Sequence, residues 1–246
     1  MKEEDRRRII REKLVRLDAA PKLFPAAAVP TGFPSLDAAL GVGGLPRGRI
    51  VELFGAASSG KSTLALQIVA HLMRSGMSAA WMDAEHVLDA AQLAKFEIPA
   101  EQLPVARPDT AEEALEMARQ LALSRALDLV AIDSAAALLP RIELETGLGE
   151  SGPSVQSRVL AWGLRRLASA ARQSETVILV LNQTRGNEDE MTAGGPPLKL
   201  HAAVRIGLEA TRGNRVRFRI LKNKAGEAFR EGTLRWENGW RFTEPL

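Results

Sequence analysis

Short, nearly unbroken apolar runs alternate along the chain with longer stretches in which apolar residues return every third or fourth position. The runs Arg49–Phe54, Met77–Asp83, Leu127–Asp133 and Thr176–Leu181 predict strands buried on both faces, and Leu103–Ala106 predicts a weaker one. Leu64–Leu72, Asp109 to about Arg125, and Ser154–Gln173 carry the helical period instead. Thr110 and Glu113 stand at capping-box spacing where the second of these helices opens. Thr31–Leu40 reads as a short capped helix closed by the turn-forming stretch Gly41–Gly48. Strand and helix in alternation predict an α/β fold, a mostly parallel twisted sheet with helices on both faces. From Ala202 the pattern changes to strands separated by the turns Arg212-Gly213-Asn214 and Glu237-Asn238-Gly239, which predicts an antiparallel C-terminal edge.

The N-terminal part differs. Residues 2–17 are dense in charge, with Ile9, Ile10, Leu14 and Leu17 along one side of a helix. Pro21, Pro25 and Pro30 then exclude helix and predict an extended connector in which Phe24 stands out as an anchor. The expected division is therefore 1–30, helix and linker, and 31–246, one large domain.

Composition narrows the classes. The chain has 246 residues, 46% of them hydrophobic, and no cysteine, which excludes disulfides, thiolate metal sites and a cysteine nucleophile. No apolar run reaches the roughly 18 residues that cross a bilayer, so the chain reads as soluble and cytoplasmic. Net charge is only +3, but residues 199–246 hold 11 Lys/Arg against 5 Asp/Glu, whereas residues 21–198 hold 15 against 20. The basic end is either a polyanion surface or a solvated strand face.

The sharpest chemical signal is Gly55-Ala56-Ala57-Ser58-Ser59-Gly60-Lys61-Ser62, followed by Thr63, which fits the P-loop pattern without a mismatch. Its glycines let the backbone turn so that successive N–H groups face phosphates, Lys61 adds a point charge, and the Ser62 hydroxyl is a candidate Mg²⁺ ligand. Strand, loop and helix in that order place the phosphates on a helix N-terminus. In a parallel sheet the carboxyl ends of the strands converge, which brings Glu85, Asp133-Ser134 and Asn182-Gln183 to the same loop. Asp133, ending an apolar strand, has the place of a carboxylate that holds Mg²⁺ or its water shell. Glu85 either prepares the attacking water or caps a helix.

These residues resemble the bacterial RecA recombinases and their relatives, from about Thr31 to Phe229. The stretches that carry the likeness are Ser35–Pro46, Gly60-Lys61-Ser62-Thr63, Asp83-Ala84-Glu85-His86-Val87-Leu88-Asp89, Pro108-Asp109-Thr110, Val130–Ser134, Asn182-Gln183 and Lys222-Asn223-Lys224. The resemblance implies a RecA-like P-loop NTPase core that hydrolyses ATP with Mg²⁺, and a catalytic role for Glu85. It implies that Gln183 senses the γ-phosphate and that Lys222 and Lys224 reach the nucleotide of a neighbouring subunit. It also implies DNA contacts at Arg158, Arg165 and Arg185, with Gly194 and Gly195 closing the second DNA loop. Phe24 and Ala27 match the F-x-x-A tether of archaeal and eukaryotic recombinases; the other reading is a Phe packed on its own domain. The function implied is a DNA-dependent ATPase that assembles as a filament or ring on single-stranded DNA in homologous recombination and DNA repair. The alternative is an ImuA-type accessory subunit with a translesion polymerase partner.

The chain departs from the family in four respects. Only ten residues, Thr184–Ala193, separate Gln183 from Gly194, and they include Glu188-Asp189-Glu190 and no aromatic residue, so weaker DNA binding is expected. Gln92 takes the place of the adenine-stacking tyrosine. The N-terminal segment is unlike that of bacterial RecA, and the likeness does not extend to the family's separate C-terminal domain.

Overall fold

The computed structural model describes residues 27–146, 154–184 and 192–245. The segment 2–17, Phe24, Arg185 and Glu188-Asp189-Glu190 lie outside them.

The apolar runs form β3 (Ile50–Gly55), β4 (Ala79–Asp83), β6 (Leu129–Asp133) and β7 (Val177–Gln183), with a two-residue β5 (Val105–Ala106) at an edge. The basic end of the chain supplies β8 (Val204–Thr211), β9 (Arg215–Asn223), β10 (Glu231–Glu237) and β11 (Arg241–Thr243). These nine strands make one sheet in the order β11-β10-β9-β8-β3-β7-β6-β4-β5. The C-terminal part departs from expectation in one respect. β8 runs parallel to β3 and extends the parallel part of the sheet, so the antiparallel edge begins only at β9. A separate antiparallel ribbon joins β1 (Ala28–Val29) to β2 (Leu45–Pro46) and buries Val29.

Seven helices lie among the described residues: α1 (Pro34–Leu40), α2 (Lys61–Arg74), α3 (Ala90–Lys95), α4 (Ala111–Leu123), α5 (Arg141–Glu145), α6 (Ser154–Ser174) and α7 (Pro196–His201). The pattern along the chain does not announce α3, α5 and α7, because five or six residues hold less than two helical turns. Where capping was legible it operates: Thr110 Oγ1 accepts the Glu113 N–H, and Glu113 Oε2 accepts the Asp109 N–H, each at 3.1 Å. None of these helices is long and apolar enough to cross a membrane.

Alternation along each strand divides the core between the two faces. Leu129 and Ala131 of β6 and Val177, Leu179 and Leu181 of β7 join Leu64, Ile68 and Leu72 of α2. Val130, Ile132, Ile178 and Val180 face the other way, onto Ala114, Ala118, Leu160, Leu164 and Leu167 of α4 and α6. Alanine on α4 and Gly163 on α6 let these two helices approach closely; a Cβ at Gly163 would collide with the Leu115 side chain.

One position interrupts the apolar core. Glu52, in the middle of β3, is fully buried and its Oε2 accepts the Arg205 Nε–H at 2.5 Å, while its Oε1 accepts the Asn182 amide at 3.0 Å. Arg205 also stacks over the Phe54 ring, 4.5 Å from its centroid. Three adjacent strands are thus tied by one charge. Arg205→Met leaves that charge unpaired and is expected to cost about 3–5 kcal/mol in urea unfolding, with Glu52→Gln recovering part of the loss in the double variant.

Candidate functional site

β3 delivers the chain to Gly55, where a side chain would run into the Leu208 carbonyl of β8. The loop turns through Ser58 (φ 59°) and Gly60 (φ 92°), and α2 starts at once with Lys61. Such a turn leaves backbone N–H groups of the loop and the positive end of α2 facing one point. Ser59 adds a buried hydroxyl that has no partner within the protein. That orphan donor fits an anion seated in the loop. Lys61 is itself buried and donates to the Gly55 and Ala56 carbonyls at 3.2 and 2.8 Å. Burial lowers the pKa of its ammonium, and the charges of Asp133 and Glu85 oppose that shift.

Strand register assembles the rest. Gly55 lies beside Gln183 of β7, and Asp83 of β4 lies beside Asp133 of β6, so the ends of these four strands form one row. The turn after β4 is pinned across that row, since the Ala84 and Glu85 N–H groups both donate to the Asp133 carbonyl. Ser134, joined to Asp133 by a cis peptide, donates its hydroxyl to Glu85 Oε1 at 2.5 Å. Glu85 is not a helix cap: α3 is capped by Asp89, whose Oδ1 accepts the Gln92 N–H at 2.7 Å.

Asp133 is pushed up to about 6. Burial is the main cause, the carboxylates of Glu85 and Asp83 add to it, and a hydrogen bond from Ser62 and the Lys61 charge oppose it. A carboxylate and a hydroxyl already bonded to each other are hard oxygen donors that fit Mg²⁺. Among the described residues no three His, Cys, Asp or Glu are grouped to hold a metal alone.

Gln183 ends β7, and its carbonyl accepts the Ala193 N–H at 2.9 Å. Thr184 and Thr192 form an isolated antiparallel bridge next to Gln183. Gly194 and Gly195 then both take φ near +77°, a backbone suited to glycine, before α7 begins. Arg158 and Arg165 are exposed on α6, two turns apart. Ala27 is exposed, and its carbonyl accepts the Arg47 N–H.

Lys222 and Lys224 are not brought to the P-loop of their own chain. Lys222 is level with Arg205 and Glu52, roughly 10 Å down the sheet from Gly55, and Lys224 is farther still. The Lys222 ammonium donates to the Lys199 and Leu200 carbonyls at the end of α7, at 2.6 and 3.1 Å. Its pKa is lowered by burial first and by neighbouring Lys224 and Arg205 next.

A cavity of about 280 Å³ opens beside Ser62 and Thr63, with Trp81, Gln92, Phe96 and Trp240 in its walls. The indole N–H of Trp81 is buried without a partner, and Trp240 meets Phe96 edge to face at 5.6 Å. These aromatic residues had no motif to mark them. The turn that carries Trp240 was legible, but the side on which its ring falls depends on the strand pairing.

A family model described as the RecA N-terminal domain matches residues 5–239. Protein RecA of Clavibacter michiganensis is 44% identical over 223 residues, which is 84% of this chain and 61% of that relative. Protein RecA of Chloroflexus aurantiacus is 41% identical over 234 residues, 89% and 66% of the two chains. The chain thus spans 61–66% of the length of these relatives.

The raised Asp133 pKa carries a stability consequence. Between the ordinary carboxyl value near 4 and about 6, the native state holds a proton that the unfolded chain has released, so stability falls as pH rises through that window. Above it the deficit is about 3 kcal/mol. In the absence of nucleotide and metal, Asp133→Asn is expected to unfold at higher urea than the parent at pH 7.5, and the gap should close by about pH 4.

Proposed function

The chain belongs to the RecA family, and we propose that it is a Mg²⁺-dependent ATPase that binds single-stranded DNA and assembles with ATP in homologous recombination and DNA repair. The observation that carries this reading is the single row at the strand ends, where an anion-ready loop faces Asp133–Ser62 and a glutamate held by Ser134.

In this reading the loop N–H groups, Ser59 and Lys61 bind and orient the phosphates of ATP. Ser62 and Asp133 would hold Mg²⁺, which supplies positive charge against the phosphate oxygens. Glu85, its carboxylate fixed by the Ser134 hydroxyl, orients the attacking water and takes its proton. Gln183 stands where β7 passes into the loop that meets DNA, so it can report the γ-phosphate to that loop. Arg158, Arg165 and Arg185 would contact the DNA backbone. The placement of Lys222 and Lys224 away from their own P-loop supports a role at the nucleotide of a neighbouring subunit. The base would lie in the cavity that contains Gln92 and Trp240, with Trp240 supplying the ring that the family's tyrosine supplies. The translesion accessory alternative has no specific observation in its favour.

ATP turnover measured with and without single-stranded DNA across a salt series tests the whole reading. Stimulation by DNA should fade as salt rises, with a log–log slope of roughly 0.7 per phosphate contact. Lys61→Ala should abolish turnover, and Glu85→Gln should bind ATP while retaining only a small residual turnover; undiminished turnover in Lys61→Ala overturns the site. Trp240→Ala is expected to weaken ATP binding by about 1–3 kcal/mol in a fluorescent-nucleotide titration, with phosphate-end chemistry intact.

A further inference from the structure

Arg107 belongs to no recognised motif, yet the register of the sheet sets it beside the site. β5 pairs with β4 through Trp81–Val105 and Met82–Ala106, so the next residue of β5's chain falls beside Asp83, and Asp83 in turn lies beside Asp133. The Arg107 guanidinium uses two arms. Its Nε–H donates to Asp83 Oδ2 at 3.2 Å, and an Nη2–H donates to the Leu88 carbonyl at 2.7 Å. Asp83 and Leu88 are the first and last residues of the turn that carries Glu85. The same Asp83 carboxylate accepts the Val87 and Leu88 N–H groups, each at 3.1 Å.

We propose that Arg107 is a positioning residue for Glu85. Its planar fork joins both ends of the Asp83–Leu88 turn, while the Asp133 carbonyl and the Ser134 hydroxyl hold the middle from the other side. A turn clamped on two flanks presents its glutamate at one height and in one direction. His86, next to Glu85, sits at φ 55°, a left-handed conformation uncommon for a non-glycine residue, so the turn is a tight one whose ends have to be held in place. Asp83 is 1% exposed but keeps the Val87 and Leu88 N–H donors when Arg107 is replaced, and the Arg107 side chain is 53% exposed, so losing this pair is expected to cost far less than losing the fully buried Glu52–Arg205 pair. Position and bulk stability are therefore separable here. A lysine could neutralise Asp83 but could not reach both Asp83 and Leu88 in fixed geometry. The inference rests on the reading of Glu85 as the residue that prepares the attacking water.

The test uses the full chain with Mg-ATP and poly(dT). Arg107→Gln is expected to lower kcat by about tenfold to a hundredfold, the range for a misplaced catalytic group. KM for ATP should change by less than about twofold, and the thermal midpoint by less than about 2 °C. Arg107→Lys should fall between the parent and Arg107→Gln. In a Glu85→Gln background, with residual turnover followed by radiolabelled ATP, Arg107→Gln should cause no further loss. An unchanged kcat, a loss that adds fully to that of Glu85→Gln, or a fall in kcat matched by a fall in thermal midpoint overturns the inference. If the parent hydrolyses no ATP, the proposed function itself fails and this inference with it. If the parent turns over and Arg107→Gln does so equally well, only the inference fails.

Discussion

A carboxylate buried in the strand that leads to the P-loop has to be neutralised inside the sheet, and much of the molecule is arranged around that requirement. Glu52 takes its charge partner, Arg205, from β8 and a further hydrogen bond from Asn182 on β7. Asn182 also donates to the Ala193 carbonyl, at the point where the second loop rejoins the fold. One ion pair thereby fixes the P-loop strand, the strand ending in Gln183 and the far root of that loop relative to one another. An apolar core would hold the same strands together but would tolerate small slips between them. A charge with short, directional partners does not.

The strand ends concentrate a different electrostatic problem. Asp83, Glu85 and Asp133 lie near one buried lysine, and the Asp133 pKa is raised chiefly by burial, with the Glu85 and Asp83 carboxylates adding to it. Sites of this kind are commonly built against the stability of the empty protein. The fold offsets the cost with backbone donors, with Ser62 and Ser134, and with Arg107 at the outer edge.

Much of this was legible in the chain itself. Uninterrupted apolar runs revealed the inner parallel strands, the P-loop revealed the phosphate end, and the convergence of strand ends placed Glu85, Asp133 and Gln183 around it. Of the two meanings open for Glu85, geometry excludes the helix cap, since Asp89 does the capping. What escaped depends on pairing between distant segments. The parallel alignment of β8 could not be read from a run of alternating residues, because alternation does not encode direction. Arg107 follows a strand of only two residues, and its relation to Asp83 exists only in the register of β5 against β4. Trp240 became a wall of the cavity beside Ser62 only through the pairing of β10 with β11.

The two ends of the candidate cleft are built on different principles. At the P-loop end each group hangs from the end of a separate strand, and the strands are locked in register, so displacing one group means displacing a strand. At the other end Trp81 of β4 forms one wall, and Gln92 of α3, Phe96 just after it and Trp240 in the turn between β10 and β11 form the rest. Of these, Gln92 and Trp240 lie outside the sheet and can be exchanged without disturbing the frame. Gln92, with Trp240 close by in the same cavity, is a position where this division permits exchange. On the proposed reading, a lineage could in this way retune which base it prefers while inheriting the phosphate end unaltered.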